Sequence, residues 1–455
     1  MAQKTVEGKR VSVLGAARSG RAVAALLKRK GATVFVSDKA PGEKMQEAAA
    51  EFRSLNIVAE FGGNSERVLD ADLIVVSPGV PSDLPVLREA VARGITVASE
   101  LETASWFCRG AIVGITGTNG KTTTTTLAGK LFEDSGFKTV VAGNIGTAFA
   151  QCIEDIDRNT TVVLEVSSFQ LDYCIDFRPQ VSVLLNITPD HLDRYGHSFE
   201  RYSDAKTRIF ARQRKGDTLV YNIDDPETKR QVDEKASPEI RRLPFSVSRK
   251  LEEGAWVESG RLVVAVNGKR SSLLPVASIG IPGVHNLANA MAATLAAMVL
   301  GAEPNAVAKT LERFKGVEHR LEFVRELRGI AYVNDSKATN VDSVWYALQS
   351  FERPIVLILG GRDKGNDYTR LHDLVRNHVR AIVAIGESAG KVVKAFEGVR
   401  AVDTAETMED AVDLCTRRAQ PGDVVLLSPA CASFDWFESY EHRGRVFKKI
   451  VMELH

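Results

Sequence analysis

The stretch Gly114-Ile115-Thr116-Gly117-Thr118-Asn119-Gly120-Lys121-Thr122-Thr123 sets the tightest condition on how this chain can fold. Residues 111–115 read as a short buried strand, and 122–131 as a helix with few breakers. The Gly-rich turn between them points several backbone N–H groups into one concavity at a helix N-terminus, which suits a polyphosphate. Lys121 is placed to neutralise terminal phosphates, and the Thr122 hydroxyl to hold a Mg²⁺. The spacing departs from the strict phosphate-loop pattern G-x-x-x-x-G-K-[ST], which wants glycine where Ile115 stands; the glycines fall at 114, 117 and 120. A plain turn between strand and helix is the competing reading, and the strand–turn–helix context favours a nucleotide.

A chain of 455 residues exceeds one ordinary core, so several domains of roughly 100–200 residues are expected. The net charge of +1 offers no broad basic surface for nucleic acid. No apolar run reaches the roughly 18 residues of a membrane span, so no membrane insertion is expected. Residues 1–10 are polar and lack the apolar core of a signal peptide. The five cysteines (108, 152, 174, 415 and 431) are scattered and form no Cys-x-x-Cys pair. Reduced thiols in a cytoplasmic protein fit that pattern better than a zinc ribbon or a disulfide frame.

Residues 11–14 read as a strand, Gly15-Ala16-Ala17-Arg18-Ser19-Gly20 as a turn, 21–30 as a helix, and 33–37 as a second strand ending at Asp38. The acidic residue 18 positions after the last glycine is similar to the dinucleotide fingerprint. Ala17 replaces that pattern's second glycine, and its methyl hinders close approach of a pyrophosphate. The unit is therefore Rossmann-like with a ligand that need not be NAD. A strand at 73–76 delivers Ser77-Pro78-Gly79-Val80-Pro81, a rigid loop at a strand end where ligands sit in open α/β sheets. Helix 84–93, strand 96–98 and helix 101–107 follow, with the first domain boundary at residue 99.

The central domain continues with strand 139–142, leading to Gly143-Asn144-Ile145-Gly146, and with the β-branched run 161–166. Glu165 ends that run beside the phosphate loop, as a Mg²⁺ ligand or water-holder would; a buried Glu paired with Arg or Lys is the alternative. Strand 181–185 delivers Asn186-Ile187-Thr188-Pro189-Asp190-His191, and helix 199–210 carries Lys206. Short strands broken by polar turns occupy 217–277. An Ala-rich helix then opens at Pro282-Gly283-Val284-His285-Asn286, with Asn289 on the same face as His285 and Asn286. From residue 317 strands and helices alternate again, predicting a third parallel α/β sheet. Its strand ends deliver Asn334 to Asn340, Gly360 to Gly365 and Ser428 to Asp435, a site for something anionic and hydrogen-bonding.

The fold expected is therefore α/β in three domains: Rossmann-like over 1–99, a central phosphate-loop ATPase over 100–316, and a Rossmann-like C-terminal domain over 317–455. One ATP centre flanked by two such domains suits a ligase. In this order Gly114 to Thr123, Glu165-Val-Ser-Ser-Phe-Gln170, Asn186 to His191, His285-Asn-Leu-Ala-Asn289, His319-Arg320 and Asn334 to Asn340 resemble the Mur ligase family, ATP-dependent amino-acid ligases of bacterial peptidoglycan precursor synthesis. The resemblance covers nearly the whole chain. Leu427 to Asp435 and Glu441-His-Arg-Gly444 are most similar to the family's D-glutamate-adding branch.

The resemblance implies small-molecule substrates, UDP-N-acetylmuramoyl-L-alanine and D-glutamate, and a monomer. It places the UDP-substrate at Asp38, Ser77, Pro78, Gly79, Asn144 and Gln170. It places ATP at Gly117, Thr118, Asn119, Gly120, Lys121, Thr122, Thr123, Asn289, Arg320 and Asp335. Two Mg²⁺ are implied, one held by Thr122 and Glu165, the other by Glu165, His191 and Lys206. An ammonium cannot bind Mg²⁺; the family's lysine is carbamylated by CO₂ and becomes the oxygen donor a hard cation requires. Lys121, Glu165, His191 and Lys206 are thus the implied catalytic set. Lys337, Thr339, Lys364, Ser433 and Phe434 match the D-glutamate site, with Tyr440 nearby. His191 or a phosphate oxygen is left to accept the amine proton.

Overall fold

The computed structural model describes residues 5–363 and 365–455. The first sheet has β1 (Arg10–Leu14), β2 (Thr33–Asp38), β3 (Val58–Phe61), β4 (Leu73–Val76) and β5 (Thr96–Ser99) in the order β3-β2-β1-β4-β5, all parallel. The chain reverses direction across the sheet between β1 and β4. The C-terminal ends of these two neighbours carry the turn 15–20 and Ser77, so a ligand crevice is expected there. All four residues of β4 are buried, the continuous apolar run of a strand covered on both faces.

The second sheet has nine strands in the order β14-β13-β12-β11-β10-β9-β6-β8-β7. They are β6 (Ala111–Thr116), β7 (Lys138–Gly143), β8 (Thr160–Glu165), β9 (Val181–Leu184), β10 (Thr218–Asn222), β11 (Arg241–Ser246), β12 (Gly254–Glu258), β13 (Arg261–Val266) and β14 (Lys269–Pro275). β6 lies between β8 and β9, so their C-terminal loops, 166–167 and 185–191, flank the phosphate loop. The strands β12 to β14 form an antiparallel meander at one edge.

The third sheet contains β15 (Glu322–Leu327), β16 (Ile330–Asn334), β17 (Ile355–Gly360), β18 (Val379–Ile385), β19 (Val402–Thr404) and β20 (Val424–Leu427) in the order β15-β16-β20-β17-β18-β19. The expected all-parallel sheet is corrected at one edge, where β15 and β16 are antiparallel. Only Arg328 and Gly329 join them, at φ 52° and 77°. Such a two-residue turn makes a hairpin and is too short for a crossover.

The chain divides into two compact units, 1–278 with 288–312, and 279–287 with 313–455. The first unit carries the first two sheets and the second unit the third. Residues 279–287, expected in the central domain, therefore pack with the C-terminal sheet, where the His285 ring lies 5.8 Å from Tyr346. Within the first unit the buried Glu102 accepts hydrogen bonds from the amides of Ile175, Asp176 and Phe177 and from the Trp106 indole. That one carboxylate fastens helix Glu100–Ser105 to the loop before β9. Among the described residues no helix is long and apolar enough to cross a membrane, and all five cysteines are free thiols.

Candidate active site

The phosphate loop joins β6 to helix Lys121–Asp134, as the sequence predicts. Gly120 caps that helix at φ 84°, and a Cβ there would stand 2.2 Å from the Asn289 Oδ1. Glycine is thus required twice over, for the left-handed backbone and for the approach of Asn289. The first-turn N–H groups of the helix have no intrahelical acceptor and mark an anion-binding end. The Lys121 ammonium donates to the carbonyls of Gly117 (2.8 Å) and Thr118 (2.7 Å), which holds it over the loop. The amides of Thr118 and Asn119, two of the residues expected at ATP, are engaged within the protein. They donate to the Asn186 carbonyl (2.9 Å) and to its Oδ1 (2.8 Å), so these two residues shape the loop.

The residues expected around Mg²⁺ fit a hard cation in chemistry and in part in placement. The buried Thr122 hydroxyl donates to the Glu165 Oε2 at 2.7 Å, which brings the two expected oxygen ligands together. The other carboxylate oxygen of Glu165 accepts from the Asn144 side-chain amide at 3.0 Å. Asn144, expected at the UDP-substrate, is thereby a direct partner of Glu165. His191 is partly exposed, packs edge-on against Phe169 with centroids 5.2 Å apart, and lies 3.6 Å from the Asp190 carboxylate.

Lys206 is 2 % exposed; its ammonium donates to the Gly117 carbonyl at 2.8 Å and lies 4.6 Å from the Tyr202 ring centroid. Burial, and next the charge of Lys121, push its pKa well below the ordinary lysine value. A buried lysine that sheds its proton is the nucleophilic form that CO₂ requires, so the site fits a carbamate.

At the first sheet the Asp38 carboxylate accepts from the amides of Ala16 (2.6 Å) and Ala40 (2.8 Å). The Ser77 hydroxyl donates to the Gly15 carbonyl at 3.3 Å. Asp38 and Ser77 thus fix the turn 15–20 beside Pro78 and Gly79. Gln170 is fully buried, and its Oε1 closes a capping box with the Ser167 amide and hydroxyl. It supports the loop after β8 through that oxygen. Glu100, fully buried beside Gln170, has its pKa pushed up by burial to about 7.

In the second unit, the ends of the adjacent strands β16, β20 and β17 bring the three expected loops to one edge. The Asp335 carboxylate accepts from the Ser428 hydroxyl (2.8 Å) and the Leu321 amide (3.2 Å). Burial raises its pKa to about 6 against the pull of Arg320. Lys337, one of the residues expected at D-glutamate, lies 5.5 Å from the Tyr440 ring centroid. Thr339 is half-buried, Ser433 is buried and Phe434 is exposed. Lys364 lies outside the described residues.

Arg443 is a residue whose role the sequence reading missed. Its buried guanidinium donates to the Ser336 hydroxyl (2.9 Å), the Ser336 carbonyl (2.8 Å) and the Cys431 carbonyl (3.1 Å). It ties the Lys337 loop to the Ser433 loop. Its sequence signal was the Glu441-His-Arg-Gly444 run, with no hint of its target.

Three family profiles match in chain order: "Mur ligase MurD-like, N-terminal domain" over 9–99, "Mur ligase middle domain" over 115–297, and "Mur ligase, glutamate ligase domain" over 319–431. A curated relative from Salinibacter ruber, named UDP-N-acetylmuramoylalanine--D-glutamate ligase, is 49% identical over 464 residues and 100% of both chains. The chain belongs to the Mur ligase family. Other Mur ligases of the same name, from Chloroherpeton thalassium and Chlorobaculum tepidum, are 45% and 47% identical across 100% of both chains. Among solved structures, a pseudomurein peptide ligase type C from Methanothermus fervidus aligns over 98% of this chain and 100% of its own, with TM-score 0.61 and 20% identity. The UDP-N-acetylmuramate-alanine ligase from Thermotoga maritima aligns over 98% and 99%, with TM-score 0.60 and 22% identity. These two likenesses show the three-domain α/β Mur ligase fold.

Proposed function

We infer that the chain is an ATP-dependent ligase that joins D-glutamate to UDP-N-acetylmuramoyl-L-alanine in peptidoglycan precursor synthesis. The observation that carries this reading is the end-to-end match to ligases of that name. The L-alanyl carboxylate attacks the γ-phosphate of ATP, giving an acyl phosphate and ADP. The amine of D-glutamate then attacks the acyl carbon, leaving the amide and inorganic phosphate. Lys121 and the first-turn amides of its helix stabilise charge building on the transferred phosphoryl group. Thr122, Glu165, His191 and carbamylated Lys206 would hold two Mg²⁺, which supply further charge neutralisation there.

Asn289, Arg320 and Asp335 are assigned to the nucleotide, and Asp38, Ser77, Pro78 and Gly79 to the UDP moiety. Lys337, Thr339, Lys364, Ser433 and Phe434 are assigned to D-glutamate, whose two carboxylates suit lysine and hydroxyl donors. The domains are drawn in chain order at 1–99, 100–316 and 317–455, with 279–287 and 313–316 packing in the C-terminal unit, and the enzyme is assigned to the cytoplasm as a monomer. The test is mass spectrometry of the UDP-product after incubation of UDP-N-acetylmuramoyl-L-alanine and D-glutamate with ATP and Mg²⁺. A gain of one glutamyl residue supports the reading; an unchanged mass overturns it. Lys206→Ala is expected to lower turnover by about a thousandfold or more without rescue by bicarbonate. Retained turnover would remove the carbamate from the account.

A further inference from the structure

The loop 186–188 after β9 makes a set of hydrogen bonds that the reaction itself does not call for. Asn186 grips Thr118 and Asn119 through three of them. Its carbonyl accepts the Thr118 amide at 2.9 Å, its Oδ1 accepts the Asn119 amide at 2.8 Å, and its side-chain amide donates to the Asn119 carbonyl at 3.1 Å. Two residues on, Thr188 donates its amide to the Thr118 Oγ1 and accepts that hydroxyl's proton at its carbonyl, both at 3.0 Å. A hydroxyl has one proton, so the Tyr202 hydroxyl, 3.0 Å away, must donate to Thr118. On its far side the loop is anchored by the Ile187 amide on Asp225, which also caps helix Pro226–Lys235.

We propose that Asn186 is a positioning residue for the nucleotide: it sets the phosphate loop in its binding form before ATP arrives. Thr118 and Asn119 are flanked by Gly117 and Gly120, so this segment without its clamp would wander widely. Ordering it on binding would subtract from affinity, and the clamp removes that loss. The clamp acts through backbone groups of the loop, and the same short segment leads to His191, so loop and His191 are positioned together.

The inference rests on the reading of this loop as the ATP site. The test is titration of the full-length enzyme and its Asn186→Ala variant with a fluorescent ADP analogue, alongside KM values for all three substrates. Affinity for the analogue is expected to fall about tenfold or more and the KM for ATP to rise in step, with the other two KM values within about twofold. Asn186→Ser, too short to reach the Asn119 backbone, is expected to move the same two quantities in the same direction, and it serves if Asn186→Ala does not fold. Unchanged analogue affinity in a folded variant, beside a wild type that binds, would overturn the inference alone. A wild type that binds no analogue would overturn the nucleotide-site reading and the inference with it.

Discussion

The central sheet and the C-terminal sheet both present their polar loops at the ends of parallel strands, yet they build those edges differently. The central edge is a backbone device. Glycines at 117 and 120, a helix N-terminus and the carbonyl-capped Lys121 make a pocket whose shape depends on main-chain conformation. The C-terminal edge is a side-chain device, in which the loops after β16 and β20 are laced by the buried Arg443. A backbone device leaves a spacing that can be read from sequence. A side-chain device leaves residue types with no mark of their partners, which for Arg443 lie both close in the chain, at Cys431, and far from it, at Ser336.

The contrast is most exposed at Gly120. Gly120→Ala is expected to lower ATP turnover by about a hundredfold or more, because a methyl meets Asn289 at 2.2 Å on a left-handed backbone. Its melting temperature should fall only modestly, and activity close to wild type would break the backbone account. At the other edge, Arg443→Lys keeps the charge but loses the fork that spans two loops. The KM for D-glutamate is expected to rise about tenfold while affinity for an ADP analogue holds; equal losses at both would erase the distinction.

The smallest expected effect is on stability. The Asp335 pKa is raised to about 6, above its unfolded value, by burial. Its contribution is therefore fully present below the unfolded pKa of about 4 and lost as pH rises through about 6. Asp335→Asn should gain on wild type by up to about 3 kcal/mol between pH 4 and pH 7.5 in urea melts. A difference that does not vary with pH would contradict the buried-carboxyl assignment.

Much of the fold was legible because most strands are short β-branched runs buried on both faces, and because glycine and proline punctuate them. The strand β3 and helix Gln46–Ser54 escaped notice. The strand has no fully buried residue, and only Ala48 and Phe52 of the helix are buried, so neither leaves a strong apolar period. The antiparallel edge at β15 turned on Arg328-Gly329, a signal overlooked against the alternating pattern. In the site, Thr122 with Glu165 could be anticipated from motif spacing. The Asn186 clamp could not, because asparagine after a strand carries no mark of which loop it grips. Gln170 gave as little sign of the capping box that its Oε1 closes.

The most direct measurement is phosphate release from ATP with UDP-N-acetylmuramoyl-L-alanine, comparing D-glutamate with L-glutamate, L-alanine and meso-diaminopimelate. The account predicts release with D-glutamate alone. Release with a different amino acid would contradict the assigned specificity, and release with none would contradict the ligase itself.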